Sequence, residues 1–113
     1  MKKKKLSLKE YLIDYLTYDD PQGLGISVLD TEFHDKVGKE YPHLKRKAYL
    51  WGCMPVPAVM RTLERLYKDY RVLRFSQGVT GGNWQPGFPK WVYTYYMQED
   101  CRMERIKEEG KDG

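Results

Sequence analysis

Residues 57–70 carry two stripes of different chemistry at one common spacing. Val59, Leu63, Leu66 and Tyr70 recur at four, three and four residues, and Arg61, Arg65 and Lys68 recur at four and three on another face. This is the period of an α-helix with one side to bury and a basic side to present. Pro57 suits the first turn, where its missing amide hydrogen would have no partner. Ala58 and Thr62 lie beside the basic stripe, and Glu64 is placed to pair with Lys68 one turn on. The period then changes. Leu73 and Phe75 alternate with Arg74 and Ser76, the two-residue repeat of a strand. Gly78 to Pro89 includes Gly81, Gly82, Gly87 and Pro86 and predicts a long loop. A returning strand follows, with Trp91, Tyr93, Tyr95 and Met97 on one side and Val92, Thr94 and Tyr96 on the other. The predicted order is helix, strand, long loop, strand.

Upstream, Ser7-Leu8-Lys9-Glu10 has the form of a capping box, with Leu6 and Tyr11 at the positions of a hydrophobic staple. Leu8, Leu12, Tyr15 and Leu16 follow helical spacing, and this first helix is expected to stop near Thr17, ahead of the turn residues Asp19-Asp20-Pro21-Gln22-Gly23. Gly25 to Leu29 predicts a short strand. Asp30 or Thr31 caps a second helix carrying Phe33 and Val37, which Pro42 ends. His43 to Met54 is too long for the turn of a plain helix-turn-helix and predicts an extra helical turn or an inserted loop. Trp51 and Trp91 are expected in the core, and Tyr93, Tyr95 and Tyr96 are expected to pack the hairpin against the helices. Residues 1–5 are expected to form a basic disordered N-terminus, 6–97 the folded domain, and 98–113 a polar tail that is a loose helix or disordered.

At 113 residues with 41% hydrophobic and 14% aromatic content, the chain fits one folded domain with a modest core. Its charge is strongly divided. Residues 6–42 carry a net −5 and residues 43–97 a net +7, although the whole chain carries +4. The basic middle and back point to an anionic partner, most often nucleic acid. The lysines at positions 2–5 are followed by Lys9, Glu10 and Asp14 rather than by an apolar run, which argues against secretion and for a cytoplasmic protein. No stretch reaches the roughly 18 apolar residues of a membrane helix. Cys53 and Cys101 lack CxxC spacing; a disulfide between them is open, and free thiols in a reduced compartment fit better.

Catalytic and cofactor signals are weak. His34 and His43 are without HExxH spacing or a cysteine partner, and His34, between Glu32 and Asp35, reads as a helix-surface residue. Gly78, Gly81 and Gly82 are not followed by a GKS or GKT run. Asp19 and Asp20 read as turn formers. The expectation is no enzyme, no metal and no cofactor.

The stretch Val56 to Phe75, "VPAVMRTLERLYKDYRVLRF", together with Trp91 to Met97, resembles the recognition helix and wing of the winged helix-turn-helix superfamily. The resemblance spans residues 6–97 and is one of pattern. It implies an α+β fold with three helices, a short strand and a C-terminal β-hairpin. It also implies double-stranded DNA as partner, with the third helix in the major groove and the wing on the flanking backbone. Arg61, Thr62 and Arg65 are then the expected base contacts. Lys68, Arg71 and Arg74 are expected on phosphates, with Lys45, Arg46 and Lys47 adding to the same surface. Trp84, amid Asn83, Gln85 and Gly87, is expected either to reach a groove, a base or a partner, or to fold back over Phe88 and Trp91. Small size points to a regulator or accessory factor of a phage, plasmid or similar element. A homodimer would use the first helix or the tail. The alternative is an adaptor or an RNA- or ribosome-binding module with an aromatic interface around Tyr49, Trp51 and Trp84.

Overall fold

The computed structural model describes residues 6–20, 22–48, 54–79 and 89–111. Lys2–Lys5, Tyr49, Trp51, Cys53 and Trp84, and the expectations attached to them, lie outside these residues. Helix α1 (Leu8–Tyr18) begins where the capping box places it. Ser7 Oγ accepts from the Glu10 amide and the Glu10 carboxylate accepts from the Ser7 amide, both at 3.2 Å. Two first-turn amides are thereby satisfied. Leu12, Ile13 and Leu16 face the core, and the rings of Tyr11 and Tyr15 pack on Phe33 of helix α2 (Thr31–Glu40). The Tyr41 hydroxyl, just past α2, donates to the Leu6 carbonyl at 2.6 Å and joins the end of one helix to the start of the other.

Between these helices the chain turns on Asp20. Its carboxylate oxygens accept from the amides of Leu24 and Gly25, each at 2.9 Å. Gly25 has φ +78° and lies against the backbone of Tyr95. Ile26 then pairs with Tyr95 through two backbone hydrogen bonds of 2.8 and 2.9 Å. The expected strand at Gly25 to Leu29 is therefore a single bridge. The reason is local: the Asp30 carboxylate takes the Ser27 amide at 2.8 Å, and the Ser27 carbonyl is engaged by His34, so the chain curls into α2.

Helix α3 (Pro57–Lys68) buries Val59, Leu63 and Leu66 against α1. Strands β1 (Leu73–Gly78) and β2 (Trp91–Tyr96) form an antiparallel hairpin in which Leu73 faces Tyr96, Phe75 faces Thr94 and Gly78 faces Trp91. Helix α4 (Glu99–Lys111) follows and packs on α1. There Arg105 donates to Asp14 at 2.9 Å and to the Thr17 hydroxyl at 3.0 Å. Among the described residues the domain is thus α+β, with four helices and one two-stranded sheet. Its core is built by Leu12, Leu16, Ile26, Phe33, Val37, Val56, Val59, Leu63, Leu66, Val72 and Tyr95.

The apolar stripe of α3 does not extend to Tyr70, whose side chain is 94% exposed. The helix ends two residues earlier in a Schellman turn: the Arg71 amide donates to Leu66 O at 2.8 Å and the Tyr70 amide to Tyr67 O at 3.1 Å. This turn puts Tyr70 at φ 61°, a left-handed conformation in which glycine is favoured. Tyr70→Gly is expected to raise the unfolding free energy by about 1 kcal/mol, since it removes Cβ strain and no buried contact. Urea unfolding would measure it, and a destabilised variant would mean that the ring makes a contact worth more than the strain.

Candidate nucleic-acid interface

At 3.6 residues per turn, Arg61, Arg65 and Lys68 fall opposite Val59, Leu63 and Leu66. All three are exposed. Among the described residues none of the three forms an ion pair. The expected partner of Lys68, Glu64, instead accepts from Arg74 at 3.4 Å. Lys68 is left pointing outward because the hairpin brings a guanidinium nearer to Glu64. A groove along α3 is lined by Ala58, Arg61, Thr62, Glu64, Arg65 and Lys68. A second groove, sharing Ala58 and Arg61, adds His43, Leu44, Lys45 and Pro57 at the N-terminal end of the helix. Lys45 thus joins the basic face of α3. The Thr62 hydroxyl donates to Ala58 O at 2.8 Å, leaving its oxygen as an acceptor on the flank of this face.

The other expected contacts go elsewhere. Arg46 turns inward: it donates to Asp35 at 2.6 Å and to the Met54 carbonyl at 2.8 Å, lying over Gly38 of α2. It closes the segment before α3 rather than adding to the basic face. The Lys47 amide donates to Pro55 O at 3.0 Å, closing the same loop, and the described part of His43–Met54 forms no helix. Arg71 opens onto the clefts beside α4, with Asp14 and Arg105 on one side and Glu104 and Glu108 on the other.

Arg74 is half-buried. Its guanidinium lies 4.2 Å from the Tyr67 ring centroid and 4.1 Å from that of Tyr93, so that α3 and β2 clasp it between them. A hydrogen bond that it donates to the Tyr95 hydroxyl oxygen helps to hold its pKa above the ordinary guanidinium value. Cation–π contacts on both sides and the Glu64 pair make Arg74 a strut fixing the hairpin to α3. The arrangement turns Arg74, expected on phosphates, inward: Leu73 and Phe75 face outward, and Phe75 meets Tyr96 edge-on at 5.4 Å. Of the aromatic residues in β2, Tyr95 is buried as expected. Trp91, expected in the core, is 54% exposed and Tyr93 is 37% exposed.

His34 also departs from expectation. It is fully buried rather than on a helix surface. Its Nδ1 accepts from the Val56 amide at 3.0 Å, which fixes the proton on Nε2, and Nε2 donates to Ser27 O at 3.1 Å. Burial holds its pKa below the ordinary histidine value, with Arg46 acting in the same direction, while the Ser27 carbonyl, Asp30 and Asp35 oppose. His34 therefore pins the residue before α3 to the turn before α2. The signal was present: His34 stands three residues before Val37, inside the apolar stripe of α2.

Cys101 is a free, exposed thiol. Among the described residues no cluster of histidine, cysteine or carboxylates could hold a metal ion, and no helix is long and apolar enough to cross a membrane. Comparison of the chain with protein-family models, with curated proteins and with solved structures gives no match.

Proposed function

We propose that this chain is a winged-helix protein that binds double-stranded DNA, with α3 in the major groove, and that it acts as a regulator or accessory factor. The observation that carries this reading is the outer face of α3. Arg61, Arg65 and Lys68 project from one side of a rigid helix, with Lys45 at its N-terminal end and, among the described residues, no intramolecular carboxylate neutralising them. The order helix, bridge, helix, helix, hairpin supports it too, and so does the docking of the hairpin beside α3 through Arg74. Arginines at this spacing can take guanine edges or phosphates, and charge draws the duplex in. Arg46 and Arg74 support the interface from within, and Arg71 faces away from it.

The test is fluorescence anisotropy of a labelled duplex over a salt series. Native protein is expected to bind at micromolar concentration or tighter, weakening as salt rises. The Arg61→Ala/Arg65→Ala pair is expected to weaken binding at least tenfold at low salt. It should also flatten the slope of log K against log salt by about 2, close to one per lost phosphate contact. Unchanged affinity in the variant would take α3 out of the interface.

A further inference from the structure

The hairpin carries an aromatic surface that duplex DNA alone does not use. We infer that this surface stacks unpaired bases, so that the preferred ligand is a duplex bordered by single-stranded nucleotides; this rests on the duplex-binding reading of α3. Trp91 and Tyr93 are 54% and 37% exposed and meet edge-to-face with centroids 4.9 Å apart. Directly opposed pairs in an antiparallel ladder share a face, so Trp91, Tyr93 and Tyr95 lie on the same side as Gly78, Ser76 and Arg74. Among the described residues, that side is open beside the two rings. Ser76 is small and exposed, and a Cβ built at Gly78 would meet nothing within 4 Å. The result is a low step at Ser76 and Gly78 beside two rings set edge to face, one of them uncovered over more than half its surface.

Charge selects the occupant. Tyr93 touches the Arg74 guanidinium, which leans on Tyr67 of α3, and Lys90 is exposed next to Trp91. The aromatic surface is therefore tied to α3 through the Tyr93–Arg74–Tyr67 stack. A nucleotide matches both parts, since its base offers a π-face and its phosphate a negative charge. Within a duplex the base faces are covered by their neighbours, so only unpaired bases can lie on Trp91 and Tyr93. The basic face of α3 needs a groove, which only a duplex supplies. One ligand satisfies both surfaces where a duplex opens into a strand.

Anisotropy with four probes tests this: a blunt duplex of about 20 base pairs, the same duplex with a single-stranded extension of about ten nucleotides at the 5′ end, the same with it at the 3′ end, and the extension alone, lengths matched to the site sizes of such surfaces. Native protein is expected to bind one extended duplex about tenfold tighter than the blunt one, a modest return for one or two stacked bases. Trp91→Ala, which leaves the Tyr93–Arg74 clasp in place, should bind the blunt duplex as the native protein does and lose the gain. A 2-aminopurine in the extension provides a readout independent of the variant, because stacking on Trp91 would quench it. Equal affinity for blunt and extended duplexes, or a gain that survives in the variant, overturns the inference and leaves the duplex reading intact. The isolated strand binding as tightly as the extended duplex overturns the joint site. No binding to any probe at low salt removes both readings and turns the aromatic surface into a protein contact.

Discussion

Replacing His34 with alanine is expected to lower the unfolding free energy by about 4 kcal/mol, a sum of lost ring packing and of two backbone groups stripped of their partner. The imidazole is fully buried and bonded on both sides, to Val56 N–H and Ser27 O. Removing it leaves a buried amide at the start of α3 and a carbonyl at the turn before α2 with nothing to replace them. Acid should act on the same point. A second proton would have to sit on Nδ1, facing the Val56 amide, so two donors would meet. Because burial lowers the native pKa of His34 beneath the ordinary 6.5, the unfolded chain takes up a proton that the folded chain refuses. The histidine contribution is then complete above pH 6.5 and declines as the pH falls below it, by at most about 1.4 kcal/mol per unit, until the native pKa is reached. Urea unfolding of the native protein and of His34→Ala between about pH 7.5 and 5.5 separates this from other groups. If both proteins show the same pH dependence, the imidazole is not held neutral.

Gly25→Ala is expected to cost about 3 kcal/mol, against about 1 kcal/mol for Gly23→Ala, although both glycines have positive φ. The surroundings decide the difference. A Cβ at Gly25 would stand 2.6 Å from Tyr95 O and 2.7 Å from Thr94 Cγ2, whereas one at Gly23 meets nothing within 4 Å. The first clash is with backbone, which cannot rotate aside. Relief requires moving the loop off β2, and the two hydrogen bonds between Ile26 and Tyr95 then go with it. Amide hydrogen exchange at Ile26 and Tyr95 would report the loss directly. Equal costs for the two variants would mean that the loop yields freely, and that the bridge does not hold the hairpin.

The elements legible in the sequence are those specified by neighbours in sequence. The Ser7–Glu10 box needs only its own four residues, and the α3 stripe needs only its period, so both were readable. Faces set by distant partners were not. Alternation in β1 shows that Leu73 and Phe75 share a side, but not that Arg74 would claim the inner one by lying between Tyr67 and Tyr93. Glu64 could have served Lys68 by helical spacing, and a hairpin arginine ten residues on took it instead. Tyr70 continued the apolar period past the point where the helix stops, because its left-handed turn carries no glycine to announce it. Of the candidate site, the basic stripe of α3 was visible in the sequence. The inward turn of Arg46 required knowing that Asp35 and the Met54 carbonyl stand on either side of it.

The clasp of α4 on α1 has a consequence for the order in which the molecule can be assembled. Arg105 reaches back to Asp14 across 91 residues and to Thr17 across 88. Chains are made N-terminus first, so α1, α2, α3 and the hairpin all exist before the residue that closes α1 from outside. A nascent chain paused anywhere before Arg105 leaves Asp14 and Thr17 without the guanidinium that ties them to α4. Completion of the domain must then wait for α4 to be synthesised, and a stop codon in α4 would act on a helix made 91 residues earlier.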